Sequence, residues 1–249
     1  MSIENLNKPQ IFCEIEDLLQ AKSINIGDIV EFGRYPQTAA GSDQTPIKWY
    51  IIKKDDNNLM LLSQYILDAM PLDEDRRNSK IWHNCNLRKW LNHTFLQTVF
   101  DEKERAMIVK NVCKDNGEKI MYDKYSTAEK DTEDFVFLLS DAERNMIEEN
   151  LGRRTHVAGT ATDFAKQRGI FVCKDNGFSS WWLRTRSDDR YRGSFQTMFV
   201  ECREGYVTYP YDDDKYFEDH AGELDHRGDT PYGIKRGVRP AIVITGQDF

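Results

Sequence analysis

The sequence predicts an α+β fold built as one main domain. Short apolar segments rich in Val, Ile and Trp are bounded by Gly, Pro and Asn, as strands are. Elsewhere apolar residues switch to helical spacing, twice behind a Ser or Asp followed three residues later by Glu, the pattern of a capping box. No Pro/Ser-rich linker divides the 249 residues. A chain this long can bury a sizeable core, and an aromatic content of 12% is not that of a disordered polymer.

In chain order, Ile11, Phe12, Ile15, Leu18 and Leu19 fall at helical spacing with acids opposite, so residues 1–22 are expected to form an amphipathic helical extension ahead of a domain over 23–249. Residues 28–32 alternate like a half-buried strand that ends at Gly33-Arg34-Tyr35-Pro36-Gln37. Residues 47–52 and 59–62 flank a polar Asp/Asn turn and read as a hairpin containing Trp49. Trp82, Leu87, Trp90, Leu91 and Phe95 share one helical face, which makes Trp90 a structural residue of a helix starting near Asn84 or Asn86. Asp101 with Glu104 caps a second short helix, and Ser140 with Glu143 caps a third that ends near Gly152. Strands are expected at 109–112 and 135–139, with the charged stretch 114–134 as an exposed excursion, and 160–168 is weakly helical. Val112-Cys113-Lys114-Asp115-Asn116-Gly117 recurs at 172–177, but the flanking residues differ, so shared turn chemistry explains it better than an internal repeat.

Two tryptophan- and β-branched-rich segments close the chain. Ser179-Ser180-Trp181-Trp182-Leu183-Arg184 and Gly237-Val238-Arg239-Pro240-Ala241 read as buried strands, and Arg, Asp, Tyr and Gly dominate the residues between them. Trp181 and Trp182 point to opposite faces, so at most one can meet any given ligand, and core anchoring is the expected role of both.

The net charge of −8 argues against a general nucleic-acid binder, which needs a cationic surplus to displace phosphate counterions. The five cysteines are widely spaced, with no paired metal-ligand spacing, and the N-terminus lacks the charged-then-apolar run of a secretory signal. Reduced thiols in a soluble cytoplasmic protein are the expectation, with no membrane insertion. No P-loop, dinucleotide fingerprint, GxSxG or HExxH is present, and no catalytic residue or cofactor is assigned.

The ordered set Gly33-Arg34-Tyr35-Pro36-Gln37, Ile47-Lys48-Trp49, Leu87-Arg88-Lys89-Trp90-Leu91-Asn92, Trp181-Trp182-Leu183-Arg184 and Gly237-Val238-Arg239-Pro240-Ala241 resembles an uncharacterised bacterial domain family, over about residues 26–244. More distantly, the closing pattern is similar to C-type-lectin-like folds, including the formylglycine-generating enzymes and the retroelement-diversified binding proteins. That resemblance implies that the strands around Trp49 and Val243 lie side by side, and that the loops over 184–232 form a ligand face. It also implies that Arg239 is a buried structural fork, which suits a guanidinium that can satisfy several carbonyls at once.

The expected contact residues for a protein or glycan ligand are therefore Arg184, Arg186, Asp188, Asp189, Arg190, Tyr191, Arg192, Tyr209, Tyr211 and Asp213, residue types favoured at recognition hot spots. Asp212, Asp213, Asp214, Glu218 and Asp219 could ligate Ca²⁺, but no EF-hand spacing is present and a solvated acidic loop is the simpler account, so no metal residue is assigned. His220 and His226 flank two acids with no helix to align them and receive no role. An oxidase of the formylglycine-generating kind would need a late cysteine pair. Only Cys173 and Cys202 are candidates, and neither lies in a segment resembling that family's motif. A third class is an assembly subunit docked through the N-terminal helix.

Overall fold

The computed structural model describes residues 9–12, 17–18, 21, 23–73, 82–114, 130–151, 159–189, 194–200, 207–208 and 235–246, and only the backbone course of 186–189, 194–200 and 207–208. The fold is α+β. β1 (Ile11–Phe12) lies parallel to β2 (Ile29–Tyr35) at a sheet edge, so Ile11 and Phe12 are strand rather than helix, while Asp17 and Leu18 are helical. Hydrogen bonding explains the difference. The carboxylate of buried Asp28 accepts the N–H groups of Gln10 at 2.8 Å and Asn25 at 2.9 Å, and Ile29 N–H donates to the Gln10 carbonyl. Phe12 and Leu18 turn into the core while Ile11 is 56% exposed, so the N-terminal segment is woven into the domain.

β2 pairs antiparallel with β3 (Thr45–Lys54), and β3 with β4 (Asn58–Ser63) across the polar turn, where the Asp55 carboxylate accepts the N–H groups of Asn57 and Asn58. Ile47, Trp49 and Ile51 are fully buried, the alternation of a strand with one face on the core. After β5 (Asp68–Met70), a 3-10 turn at Trp82–Asn84 precedes a helical run of α1 (Asn86–Trp90), a π-helical turn (Leu91–Phe95) and α2 (Leu96–Val99). α3 (Glu102–Met107) opens with the complete Asp101/Glu104 capping box. β6 (Ile108–Val109), β7 (Asn111–Cys113), β8 (Thr132–Asp134) and β9 (Val136–Phe137) follow, so the charged excursion ends in a strand that pairs with β7. α4 (Asp141–Leu151) carries the second capping box, with Glu143 N–H on Ser140 Oγ and Ser140 N–H on Glu143 Oε2. α5 (Asp163–Gln167) is capped by Thr162. β10 (Trp181–Asp189), β11 (Ser194–Val200), β12 (Val207–Thr208), β13 (Arg236–Val238) and β14 (Ala241–Thr245) complete the described chain. The two copies of the recurring hexapeptide differ: Val112-Cys113 is strand, whereas 172–177 is a turn closed by Gly177 N–H on the Cys173 carbonyl.

The larger sheet runs β1-β2-β3-β4-β14-β6, with β9 also on β14; the smaller runs β12-β11-β10-β13-β5. The Trp49 and Val243 strands are therefore not adjacent, because β4 lies between them and pairs with both. Two chain segments cross together from one sheet to the other. β4 leads to β5 and β13 leads to β14, both pairs are antiparallel, and the connecting residues stay bonded through Ser63 N–H on the Pro240 carbonyl and Leu67 N–H on the Val238 carbonyl. This single ribbon welds the sheets around one continuous core.

Candidate functional site

The ribbon crossing explains why Gly-Val-Arg-Pro-Ala occurs where it does. A Cβ on Gly237 would lie 2.6 Å from Ile66 Cγ2 and 3.0 Å from the Ser180 carbonyl oxygen, so only glycine fits. Val238 and Ala241 are fully buried. Pro240, which has no N–H to satisfy, offers its carbonyl to Ser63. Arg239 is buried, with Nε on the Ser63 carbonyl at 3.0 Å, a second donor toward the Gln64 carbonyl and its guanidinium over the Trp181 ring at 5.1 Å. Burial lowers its pKa to about 10, which leaves it cationic at neutral pH.

Trp181 and Trp182 sit on opposite faces of β10, and both are buried. The Trp182 indole donates to the Met70 carbonyl at 2.9 Å, and the Arg236 guanidinium lies 4.7 Å from its ring. Trp49 donates its indole N–H to the Phe32 carbonyl at 2.7 Å, and half-buried Trp90 packs on Phe95. These four tryptophans thus serve the frame, as does the fifth, fully buried Trp82.

β10 pairs with β11 at Trp181–Trp182 and again at Arg186–Asp189, but the register shifts between the two stretches. In that gap Arg184 turns inward. Its N–H donates to the Leu139 carbonyl, and its guanidinium donates to the Leu138 carbonyl at 2.7 Å, the Lys114 carbonyl at 2.8 Å and both Glu143 carboxylate oxygens. It is fully buried and stacks over Phe137. This corrects its assignment to the contact surface: the shifted register points it into the core, where desolvation demands the partners it has.

Arg186, Asp188 and Asp189, expected on a loop, have strand backbone paired with Thr197, Phe195 and Ser194 respectively, and their side chains lie outside the described residues. Arg190, Tyr191 and Arg192 belong to the segment joining Asp189 to Ser194. They lie outside the described residues, as do Tyr209, Tyr211, Asp213, the neighbouring acids, His220, His226 and Cys202. The described part of the proposed display region is thus the root of a β-hairpin.

One polar cluster escaped sequence reasoning. Tyr35 Oη donates to Asp68 Oδ2 at 2.7 Å, and Arg168 Nε donates to Asp68 Oδ1 at 3.1 Å. Burial, then the neighbouring Asp68 charge, pushes the Tyr35 pKa far above its ordinary value, so this hydroxyl stays a donor. Only the long sequence separations hid the cluster, since Tyr35 lies in a singled-out motif. Burial likewise raises Cys113 to about 12, so its thiol is neither nucleophile nor ready metal ligand at neutral pH. Cys85, Cys113 and Cys173 are buried and form no disulfide among the described residues. Among the described residues no three His, Cys, Asp or Glu side chains gather to hold a metal, and no helix is long and apolar enough to cross a membrane.

The family described as a domain of unknown function (DUF6273) matches residues 56–246, most of the chain. The chain belongs to that family. The DUF6273 match contains the Leu87, Trp181 and Gly237 motifs and starts in the β3–β4 turn, leaving Gly33 to Gln37 and Trp49 ahead of it. No curated protein and no solved structure matches the chain.

Proposed function

We propose that the chain is a non-catalytic recognition domain of C-type-lectin-like type, with a protein or glycan ligand contacted by the β10–β11 hairpin and the residues that follow it up to 232. The observation that carries this reading is the contrast along β10. Trp181 to Thr185 are buried and bonded into the core, whereas the strand pair then continues for four more residue pairs toward Arg190-Tyr191-Arg192. A strand pair joined by a cationic and aromatic segment is suited to present contacts with little entropy loss. The C-type-lectin-like reading draws support from the large sheet that holds both an early strand and the last described one, and from a smaller sheet in which β11 and β13 come before and after residues 201–234 in the sequence. Docking through the N-terminal segment draws less support, since Phe12 and Leu18 are buried in this chain's own core.

The test compares the intact chain with an R190A/Y191A/R192A variant on glycan and surface-protein arrays, with melting measured in parallel. Capture by the parent, lost in a variant whose Tm is nearly unchanged, is expected, because surface loop changes usually stay within about 0.5 kcal/mol. Equal capture by both, or no capture by either, overturns the proposal, and a variant that unfolds makes the turn structural.

A further inference from the structure

Arg184 does more than fill a core position. Three elements besides its own strand meet at its guanidinium: the end of β7 through the Lys114 carbonyl, the segment after β9 through the Leu138 carbonyl, and α4 through Glu143. Glu143 is itself fixed by the Ser140 N–H, and Thr185 Oγ1 accepts the N–H of Asp141 at 2.8 Å. Where β10 loses its register with β11, these bonds hold the root of the hairpin.

β7 and β8 form a separate two-stranded sheet, and such a ribbon is marginal by itself. Side chains attach it to the body. Asp134 accepts Trp82 Nε1 at 3.1 Å and Arg88 Nε at 2.7 Å on the β8 side, with Thr132 Oγ1 of the same strand at 2.7 Å orienting it, while Arg184 holds the β7 side at Lys114. Lys110, Val112 and Glu133 on its outer side are exposed. The β7 end of the ribbon and the hairpin therefore leave the core from one guanidinium.

We propose that Arg184 is a positioning residue that holds the β7–β8 ribbon and the β10–β11 hairpin as one body, so that the contact surface assigned to the hairpin is set by both. Its functional meaning rests on the recognition reading above, but its mechanical content does not. An arginine suits the task because its rigid fork reaches several acceptors at once, which a lysine ammonium on a flexible stem cannot reproduce.

Hydrogen exchange followed by mass spectrometry on the full chain tests this without a ligand. In Glu143→Ala, amides of 111–114, 132–134 and 182–189 are expected to exchange together at least about tenfold faster, as loss of a charge-assisted bond implies. Peptides of β2 and β3 should change by less than about twofold. Ser140→Ala, which removes the α4 cap but leaves Arg184 on Glu143, should accelerate only the first turn of α4. Should Glu143→Ala fail to fold, Glu143→Gln retains one acceptor oxygen and should give a smaller acceleration in the same two segments. Acceleration of the hairpin without the ribbon, of the ribbon without the hairpin, of neither, or of both in Ser140→Ala would overturn the joint. A domain that captures nothing on the arrays yet shows the paired acceleration would refute recognition alone.

Discussion

Replacing Gly33 with alanine separates two costs that a glycine can hide. Gly33 has φ +68° and stands in the register shift between β2 and β3, where an added Cβ would lie 2.6 Å from Phe100 Cδ1 and 2.9 Å from Val99 Cγ1. Left-handed backbone costs alanine roughly 1 kcal/mol. Overpacking against a buried ring adds roughly 2 kcal/mol more. The sum of about 3 kcal/mol corresponds to a fall in Tm of roughly 6–12 °C for a chain of this size. Gly177 supplies the control: its φ is +76°, yet nothing lies within 4 Å of its Cβ position, so Gly177→Ala should lose only about 1 kcal/mol, or roughly 2–4 °C. Calorimetric melting of both variants beside the parent gives the comparison. If Gly33→Ala melts no lower than Gly177→Ala, the close approach of Phe100 is wrong, and with it the packing of α2 and α3 on β2.

Other expectations are as direct. Ser179 is fully buried and its Oγ meets no partner among the described residues, so Ser179→Ala should raise stability by about 1 kcal/mol; a lower Tm would reveal a partner. Cys113 holds its proton more tightly folded than unfolded. Its contribution is therefore complete below the ordinary value of 9.0 and lost as the pH climbs toward about 12, and Cys113→Ala should flatten that alkaline slope in denaturation curves. The stretch 56–249 expressed alone should remain unfolded by circular dichroism, because it lacks β3 and the fully buried Ile47, Trp49 and Ile51. Deleting 1–22 removes buried Phe12 and Leu18 and should cost at least about 3 kcal/mol, whereas a dispensable extension would leave Tm unchanged.

Features that depend on neighbours in sequence were legible in the chain. The Asp101/Glu104 and Ser140/Glu143 caps form, the β3–β4 hairpin turns at the Asp/Asn run, and Trp181 and Trp182 take opposite faces. Features set by distant partners were not. β5 is three residues long and exists because β13 lies beside it, and Asp68 belongs to a polar cluster because Tyr35 and Arg168 reach it from far along the chain. Helical spacing near residue 12 lost to a sheet edge offering backbone partners. Arg184 stood with the contact residues because it adjoins a polar stretch, and no local pattern announces a register shift.

The interruptions in the ladders show what the motifs do. A strand pair that slips leaves a carbonyl without its ladder partner, and a buried carbonyl must be bonded elsewhere. The β2–β3 shift leaves Phe32, and Trp49 donates to it; the shift between Ile51 and Lys53 leaves Ile52, and Asn150 donates to it at 3.1 Å. The crossing ribbon exposes the Ser63 and Gln64 carbonyls, which Arg239 takes. At the gap in β10 it is the Arg184 N–H that finds a partner off the ladder, the Leu139 carbonyl, while its guanidinium takes the Leu138 and Lys114 carbonyls; Asn92 in the π-helical turn both donates to the Val136 carbonyl and accepts from the N–H groups of Phe135 and Val136. Trp49, Asn92, Arg184 and Arg239 are four polar members of the ordered motifs, and the frame consumes each of these four. Motifs spent on such repairs specify the scaffold, and on the recognition reading proposed above ligand choice falls to the residues between them.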